Sequence, residues 1–437
     1  MFGPRGVARV TNLTFVILSF EGPDPYAHAG GLGSRVTGLS QALADMGLET
    51  HLFFVGDPDL PGLEVAGSLH LHRWCQWISQ YHRGGVYEGE EGKLRDWDRS
   101  LPEWLIREIM VPRVEAGGSV VVLAEEWHTV GAILALDAEL RRQGLRQHVH
   151  LVWNANNVFG FHRVPWVALR RAAVITTVSR YMKHVMWPHG VDARVIPNGI
   201  PERWLEPLDR GACSSLSRLL ADRMTLVKVA RFDPDKRWNM TVDAVSLLKR
   251  AEARPLFLAR GGLEDHGRDV IARSRGAGLR LAATRWDGQD PESFIRAVEP
   301  ALDADMIVLE GYLSEAQRRV LFHVADAVLA NSGIEPFGLV GLETMSVGGV
   351  AFVGCTGEDY ATHGLDAISL QTADPHEIVR YALHLRTLPR VRTRLRTAAR
   401  RSAARYTWRA VVERTMPLFL QGLGVRTASR TGVSVPG

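Results

Sequence analysis

The sequence predicts an α/β chain of two halves, each built on a parallel sheet that carries its ligands at the carboxyl edge. Three observations lead there. Short apolar runs, among them Leu13 to Phe20, Ser119 to Ala124, Leu226 to Val229 and Ala327 to Ala330, alternate with helical spacings, the rhythm of β–α units. Glycine loops follow two of these runs, at Gly30-Gly31-Leu32-Gly33 and at Pro336-Phe337-Gly338, where backbone N–H groups at a helix start can meet an anion. The chain has 437 residues, 46% hydrophobic and 23% charged, which is enough for two such domains and is ordinary globular composition.

Taken in order, Leu13 to Phe20 reads as the first strand and not as a leader, because it is short and runs straight into a glycine loop. The helix after that loop places Arg35, Leu39, Leu43 and Met46 at spacings of three to four. A second strand, Thr50 to Val55, precedes a stretch rich in aromatics, Trp74, Trp77, Tyr81, Tyr87, Trp97 and Trp104, which serves either local packing or stacking on sugar rings. The strand Ser119 to Ala124 delivers Glu125, Glu126 and His128 to a strand end, and Val149 to Asn154 delivers Asn156, so these four are the acceptor-side candidates. Pro197 to Leu208, with Pro201 and Pro207, reads as a linker.

The second half opens with Leu226 to Val229, then a loop bearing Arg231 and Lys236. Strands at Leu256 to Ala259, Met306 to Leu309 and Ala327 to Ala330 follow. Lysine is rare here, five of the 52 basic residues, so a lysine in a loop after a strand is unlike the arginine-rich background. The stretch Asn331 to Val353 is the focus of the chain. Glu335 and Glu343 flank a Pro-Phe-Gly turn, a buried helix begins at Leu339, and Gly348-Gly349 stops it before the strand Val350 to Val353. The two acids lie roughly 12 Å apart along a helix, too far to share a proton but suited to the two ends of one extended ligand.

Three scattered cysteines, Cys75, Cys213 and Cys355, fit neither a zinc site nor a disulfide framework and suit a reducing cytoplasm. No apolar run is long enough to span a membrane. A net charge of +4 and a pI near 9.1 suit phosphate-bearing ligands without singling out nucleic acid. The arginine-rich helix from Leu388 to Arg409 is either solvated or a weak peripheral contact for anionic lipid.

The segment EPFGLVGLE resembles the retaining glycosyltransferases of GT-B architecture, the broad group of glycogen, starch and sucrose-phosphate synthases, whose mark is two Glu separated by seven residues. Arg231 and Lys236, with four residues between them after a strand, match the same group. So do Trp127 and Thr129, though Glu125 stands where the group carries a His, and His28 where some members carry a Lys. The resemblance implies two Rossmann-like domains facing across a cleft: an acceptor-side domain at 1–203, a nucleotide-sugar domain at 204–405, a returning helix at 406–423 and a disordered tail at 424–437. It implies that Arg231 and Lys236 neutralise the departing diphosphate and that Glu335 holds sugar hydroxyls. Gly30, Gly31, Gly338 and Leu339 would meet the donor phosphates, and Glu343 the ribose. No metal and no cofactor is expected beyond the nucleoside diphosphate sugar. Two other readings stay open: a dinucleotide oxidoreductase, disfavoured by a first loop too long for a tight GxGxxG turn, and a non-catalytic sugar-nucleotide sensor. A metal-dependent transferase would need Asp-x-Asp, a form that Asp57-Pro58-Asp59, Asp233-Pro234-Asp235 and Asp303-Ala304-Asp305 share.

Overall fold

The computed structural model describes residues 12–421 and 423; the expected disordered tail at 424–437 lies outside them. The chain forms two compact units. The first runs to Val178 and from Met182 to Gly199, and resumes at Trp408; the second holds Ser179–Tyr181 and Ile200–Thr407. The change of unit after Gly199 comes before the expected boundary at 203, and the return comes at Trp408 instead of 406. The reason is packing. Pro197 to Leu208 is no free linker, because Glu202–Leu205 is a 3-10 turn whose Trp204 is buried in the second unit, with its ring 6.4 Å from that of Phe322.

The first unit is an eight-stranded sheet in the order β3-β4-β2-β1-β5-β6-β7-β8. Its strands are β1 (Leu13–Leu18), β2 (Glu49–Val55), β3 (Leu63–Ala66), β4 (Leu69–Trp74), β5 (Ser119–Glu125), β6 (Val149–Ala155), β7 (Val174–Thr177) and β8 (Arg194–Val195). All neighbours pair parallel except β3 with β4. All six residues of β1 are buried, as expected for a central strand covered on both faces. The helix Gly31–Asp45 buries Leu32, Val36, Leu39 and Leu43 along one stripe. The returning helix Trp408–Gln421 packs against it, and a Cβ on Gly38 would lie only 2.0 Å from Trp408 Nε1, so glycine is what lets the two helices approach. Phe15 and Phe419 meet edge to face at 5.6 Å in the same core.

The second unit is a seven-stranded, all-parallel sheet in the order β11-β12-β10-β9-β13-β14-β15. Its strands are β9 (Met224–Val229), β10 (Pro255–Arg260), β11 (Leu281–Thr284), β12 (Met306–Leu309), β13 (Ala327–Ala330), β14 (Ala351–Val353) and β15 (Ile368–Ser369). In both sheets the chain first builds one side and then returns to the other side of the first strand. The topological switch points therefore fall between β1 and β5 in the first unit and between β9 and β13 in the second, where loops splay apart and ligands bind in open α/β sheets.

Candidate functional site

In the second unit the loop after β9 carries Arg231 and Lys236, and the loop after β13 carries Glu335. The two loops are laced together: the Gly333 N–H donates to Asp235 O at 2.7 Å and the Ile334 N–H to Asp235 Oδ1 at 3.1 Å. Asp233 Oδ1 in turn accepts from the Asp235 N–H, which shapes the turn before Lys236. The result brings Lys236 Nζ to 2.5 Å from Glu335 Oε2, each side chain 18% exposed. Arg231 is exposed, and among the described residues no side chain or carbonyl engages its guanidinium.

Beneath this pair lies a lysine that sequence reasoning passed over. Lys228, fully buried on β9, donates to Leu329 O at 3.1 Å and Asn331 Oδ1 at 2.5 Å, and its ammonium stands 5.4 Å from the Trp238 ring centroid. It thus ties β9 to the first residue of the site loop. Burial, and then the charge of Lys236, push its pKa down to about 7.

The helix Leu339–Ser346 begins at Gly338 with no side-chain cap. Leu339 is its first residue and is partly buried. The loop after β14 folds over this start: Thr356 Oγ1 accepts the Glu335 N–H at 2.8 Å and Tyr360 Oη donates to Gly338 O. A Cβ on Gly357 would sit 2.1 Å from Glu335 O, which is why that loop can lie so close. Glu358, also absent from the sequence-based set, is buried here. A Cβ on Gly338 would come within 3.0 Å of its Oε1, yet neither carboxylate oxygen has a hydrogen-bond partner among the described residues. Burial, with Glu335 nearby, raises its pKa to about 8. No local motif marked it, because the residues it lies against, Glu335 and Gly338, come from a different strand end.

Glu343 lies further along the same helix. Its carboxylate pairs with Arg318 at 2.9 and 3.1 Å, and the Arg318 guanidinium lies 5.2 Å from the Trp204 ring. Burial raises the Glu343 pKa while Arg318 opposes the shift. A ribose at Glu343 would therefore meet a carboxylate already held by an arginine.

The switch point of the first unit is built differently, and it corrects several expectations. The N–H groups of Gly30 and Gly33 are not open to phosphate: Glu21 Oε2 accepts from Ala29 at 3.2 Å, Gly30 at 3.0 Å and Gly33 at 2.9 Å. Gly31 is the first residue of the helix whose start this carboxylate fills. Glu125 does not stand open at its strand end. It is 1% exposed, pairs with Arg35 at 3.0 Å, and also accepts from Asn154 and Asn156 at 2.8 Å. Arg35 continues the network to Asn198 Oδ1 at 2.7 Å, a fully satisfied buried pair. His128 is buried as well, with Nε2 2.8 Å from Glu90 Oε1 and its ring stacked on Trp127 at 3.9 Å and Phe20 at 4.3 Å. Burial lowers its pKa.

Glu126 and Asn156 come together. Glu126 Oε1 accepts the N–H groups of Asn156 and Asn157, at 2.5 and 3.1 Å, and burial raises its pKa to about 8. The Asn156 Oδ1 is buried without a partner among the described residues. Glu126 is buried like Glu125 and His128, and of the four acceptor-side candidates Asn156 alone is partly exposed.

The aromatic stretch divides by burial. Trp74 and Trp104 pack on Phe53 and on each other, and Trp97 is buried, whereas Trp77 and Tyr81 are exposed. The three Asp-x-Asp pairs serve turns and ion pairs. Asp57 caps the Asp59 N–H and Asp59 pairs with Arg83; Asp235 holds Ile334; Asp305 pairs with Lys249 at 2.7 Å. No helix among the described residues is long and apolar enough to cross a membrane.

Comparison with known proteins follows the same division. Residues 29–204 match the model of Glycosyltransferase Family 4, and residues 217–402 that of Glycosyl transferases group 1. A D-inositol 3-phosphate glycosyltransferase of Thermobispora bispora is 22% identical, covering 96% of both chains. Among solved structures, a sucrose-phosphate synthase from Thermosynechococcus elongatus aligns with a TM-score of 0.65 at 18% identity, over 94% of this chain and 99% of its own. The catalytic domain of starch synthase IV from Arabidopsis thaliana, bound to ADP and acarbose, aligns at 0.67 and 14% identity, over 95% and 100%.

Proposed function

The chain belongs to the GT-B glycosyltransferases, and from that premise we propose that it moves a hexose from a nucleoside diphosphate to a sugar or other small-molecule hydroxyl, retaining the anomeric configuration and using no metal. The membership leaves no place for the oxidoreductase reading. One observation carries the proposal: Lys236 and Glu335 meet at 2.5 Å beside a helix start that no side chain caps.

In this reading the bond from the sugar C1 to the donor phosphate breaks with its electron pair leaving on the diphosphate. Arg231, Lys236 and the N–H groups at Gly338 and Leu339 receive that charge, preorganised where it develops. Glu335 holds hydroxyls of the transferred sugar, with Lys236 fixing its rotamer. Glu343 holds the ribose together with Arg318. The acceptor hydroxyl adds to C1 on the face the diphosphate leaves, and its proton departs with the phosphate. Within the first unit, Glu126 and Asn156 are the candidates for binding the acceptor.

The test is a thermal-shift screen of nucleoside diphosphate sugars, since a ligand that binds only the folded state raises stability with its affinity. Turnover of the best donor then follows, with free and phosphorylated hexoses and inositols as acceptors, a choice prompted by the sugar and inositol phosphates in the names of similar proteins. Proton NMR of the product should show the donor's anomeric configuration, and rates in EDTA should equal those without it. An inverted product, or activity that returns only with Mn²⁺ or Mg²⁺, would overturn the mechanism while leaving the family assignment standing.

A further inference from the structure

The amino-terminal end of β2 and the start of β4 carry a histidine cluster that sugar transfer does not use. Glu49 and His51 are two residues apart on β2 and so share one face of the sheet. The parallel register sets His51 opposite His70 and Phe53 opposite His72, which puts all four rings on that face. His51 and His70 stack at 4.4 Å between centroids. The Glu49, His51 and His70 ligand atoms all lie within 4.8 Å of one another.

We propose that Glu49, His51 and His70 bind a zinc-type divalent ion, with His72 as the outer group that orients the His51 ring. Two imidazoles and one carboxylate form a borderline N,N,O donor set suited to zinc, and three protein ligands leave a fourth position to solvent. Donors about 2.0–2.1 Å from a tetrahedral ion stand roughly 3.4 Å apart, so the cluster needs only side-chain rotation to close on it. The outer shell is already in place. His51 Nδ1 lies 3.0 Å from His72 Nε2, the kind of contact on the far ring nitrogen that fixes the tautomer of a metal-binding histidine.

Charge supports the same conclusion. Glu49 Oε1 lies 3.3 Å from His51 Nε2 and also pairs with Arg113. The Arg113 guanidinium therefore competes with a metal cation for the Glu49 carboxylate, and metal binding would exchange one positive partner of that carboxylate for another, with any proton on His51 Nε2 leaving to solvent. The place argues for a structural or regulatory ion. These residues start their strands, whereas the transfer chemistry uses strand ends. An ion here would fasten β2 to β4 at the side of the sheet where the order runs out to the antiparallel β3.

The test is a Co²⁺ titration of the metal-stripped, untagged full chain, read by visible absorption and repeated as Zn²⁺ competition. One equivalent should bind with the intense visible bands of a tetrahedral site. His70→Ala should weaken binding at least tenfold, and Glu49→Gln should do the same while keeping its hydrogen-bonding shape. Arg113→Ala leaves every ligand intact and should tighten binding severalfold, because it removes the competing cation. His72→Ala should weaken it tenfold or more without abolishing it. Melting curves recorded without metal separate these losses from misfolding. No tetrahedral bands, or affinity unchanged in both His70→Ala and Glu49→Gln, would overturn the site, as would an Arg113→Ala variant that binds more weakly while melting as the wild type does.

Discussion

The helices Gly31–Asp45 and Leu339–Ser346 both follow glycine at the carboxyl edge of a parallel sheet, and both present first-turn N–H groups at a switch point. The first is closed by its own chain: Glu21 takes the N–H of Gly33 in the first turn and those of Ala29 and Gly30 just before it, and also accepts from Tyr87 Oη at 2.6 Å. The second has no side-chain cap. Its nearest carboxyl, Glu358, accepts nothing and is pushed toward the neutral form by burial. A helix start becomes an anion site only when no internal anion reaches it first. The choice is made by residues eight or more positions away, not by the glycines.

The largest expected effects bear on the open end. Lys236→Ala and Arg231→Ala should each lower kcat by roughly a hundredfold or more, the scale found when one preorganised charge at a developing anion is removed. Glu335→Ala should do likewise, with the melting temperature little changed because all three side chains sit outside the core. Turnover within twofold of wild type in Glu335→Ala would remove the second helix start from the reaction and dissolve the contrast.

The next effect sharpens the contrast through pH. Glu358 has its folded pKa raised to about 8, so it is protonated at pH 7 and gains its charge as pH rises through that value. That charge would stand beside the incoming diphosphate. Donor affinity should fall about tenfold between pH 7 and 9, a change of roughly 1.4 kcal/mol. Glu358→Gln, which mimics the neutral acid, should hold its affinity flat over the same range. An equal pH slope in the variant would assign the titration to another group.

How much of this was legible follows from what each signal depends on. Buried central strands announce themselves, since every position is apolar; Met306–Leu309 and Ala327–Ala330 have the bounds the sequence predicts. β4, with the sequence LHLHRW, was not legible as a strand, because its alternate histidines look polar until they stack on β2. The loop bearing Arg231 and Lys236 and the stretch around Glu335 were legible because each is a local motif, and their meeting at 2.5 Å is what the sheet order adds. Glu125 misled for the opposite reason. It sits at a strand end, where ligands bind, but its partner Arg35 is ninety residues away. Glu21 and Glu358 carry no motif at all, and only the three-dimensional return of their loops gives them roles.

The smallest expected effect tests whether the first helix start is closed for good. Glu21→Gln keeps an oxygen for the N–H groups of Ala29, Gly30 and Gly33, and its amide can donate to the Tyr87 hydroxyl, so shape is preserved while the charge is lost. A carboxylate at a helix N-terminus contributes about 0.3–1 kcal/mol when exposed and up to ~2 kcal/mol when partly buried. Glu21 is 5% exposed, so the upper part of that range applies. Hydrogen exchange at the Gly30 and Gly33 amides is a better reading than a global melt, because a chain of two units need not unfold in one step. Their protection should fall about tenfold, and donor affinity should stay within twofold of wild type. The informative contrary outcome is a gain: if Glu21→Gln or Glu21→Ala binds the donor tenfold more tightly, Glu21 competes with phosphate for these N–H groups. The two helix starts would then differ in occupancy and not in kind.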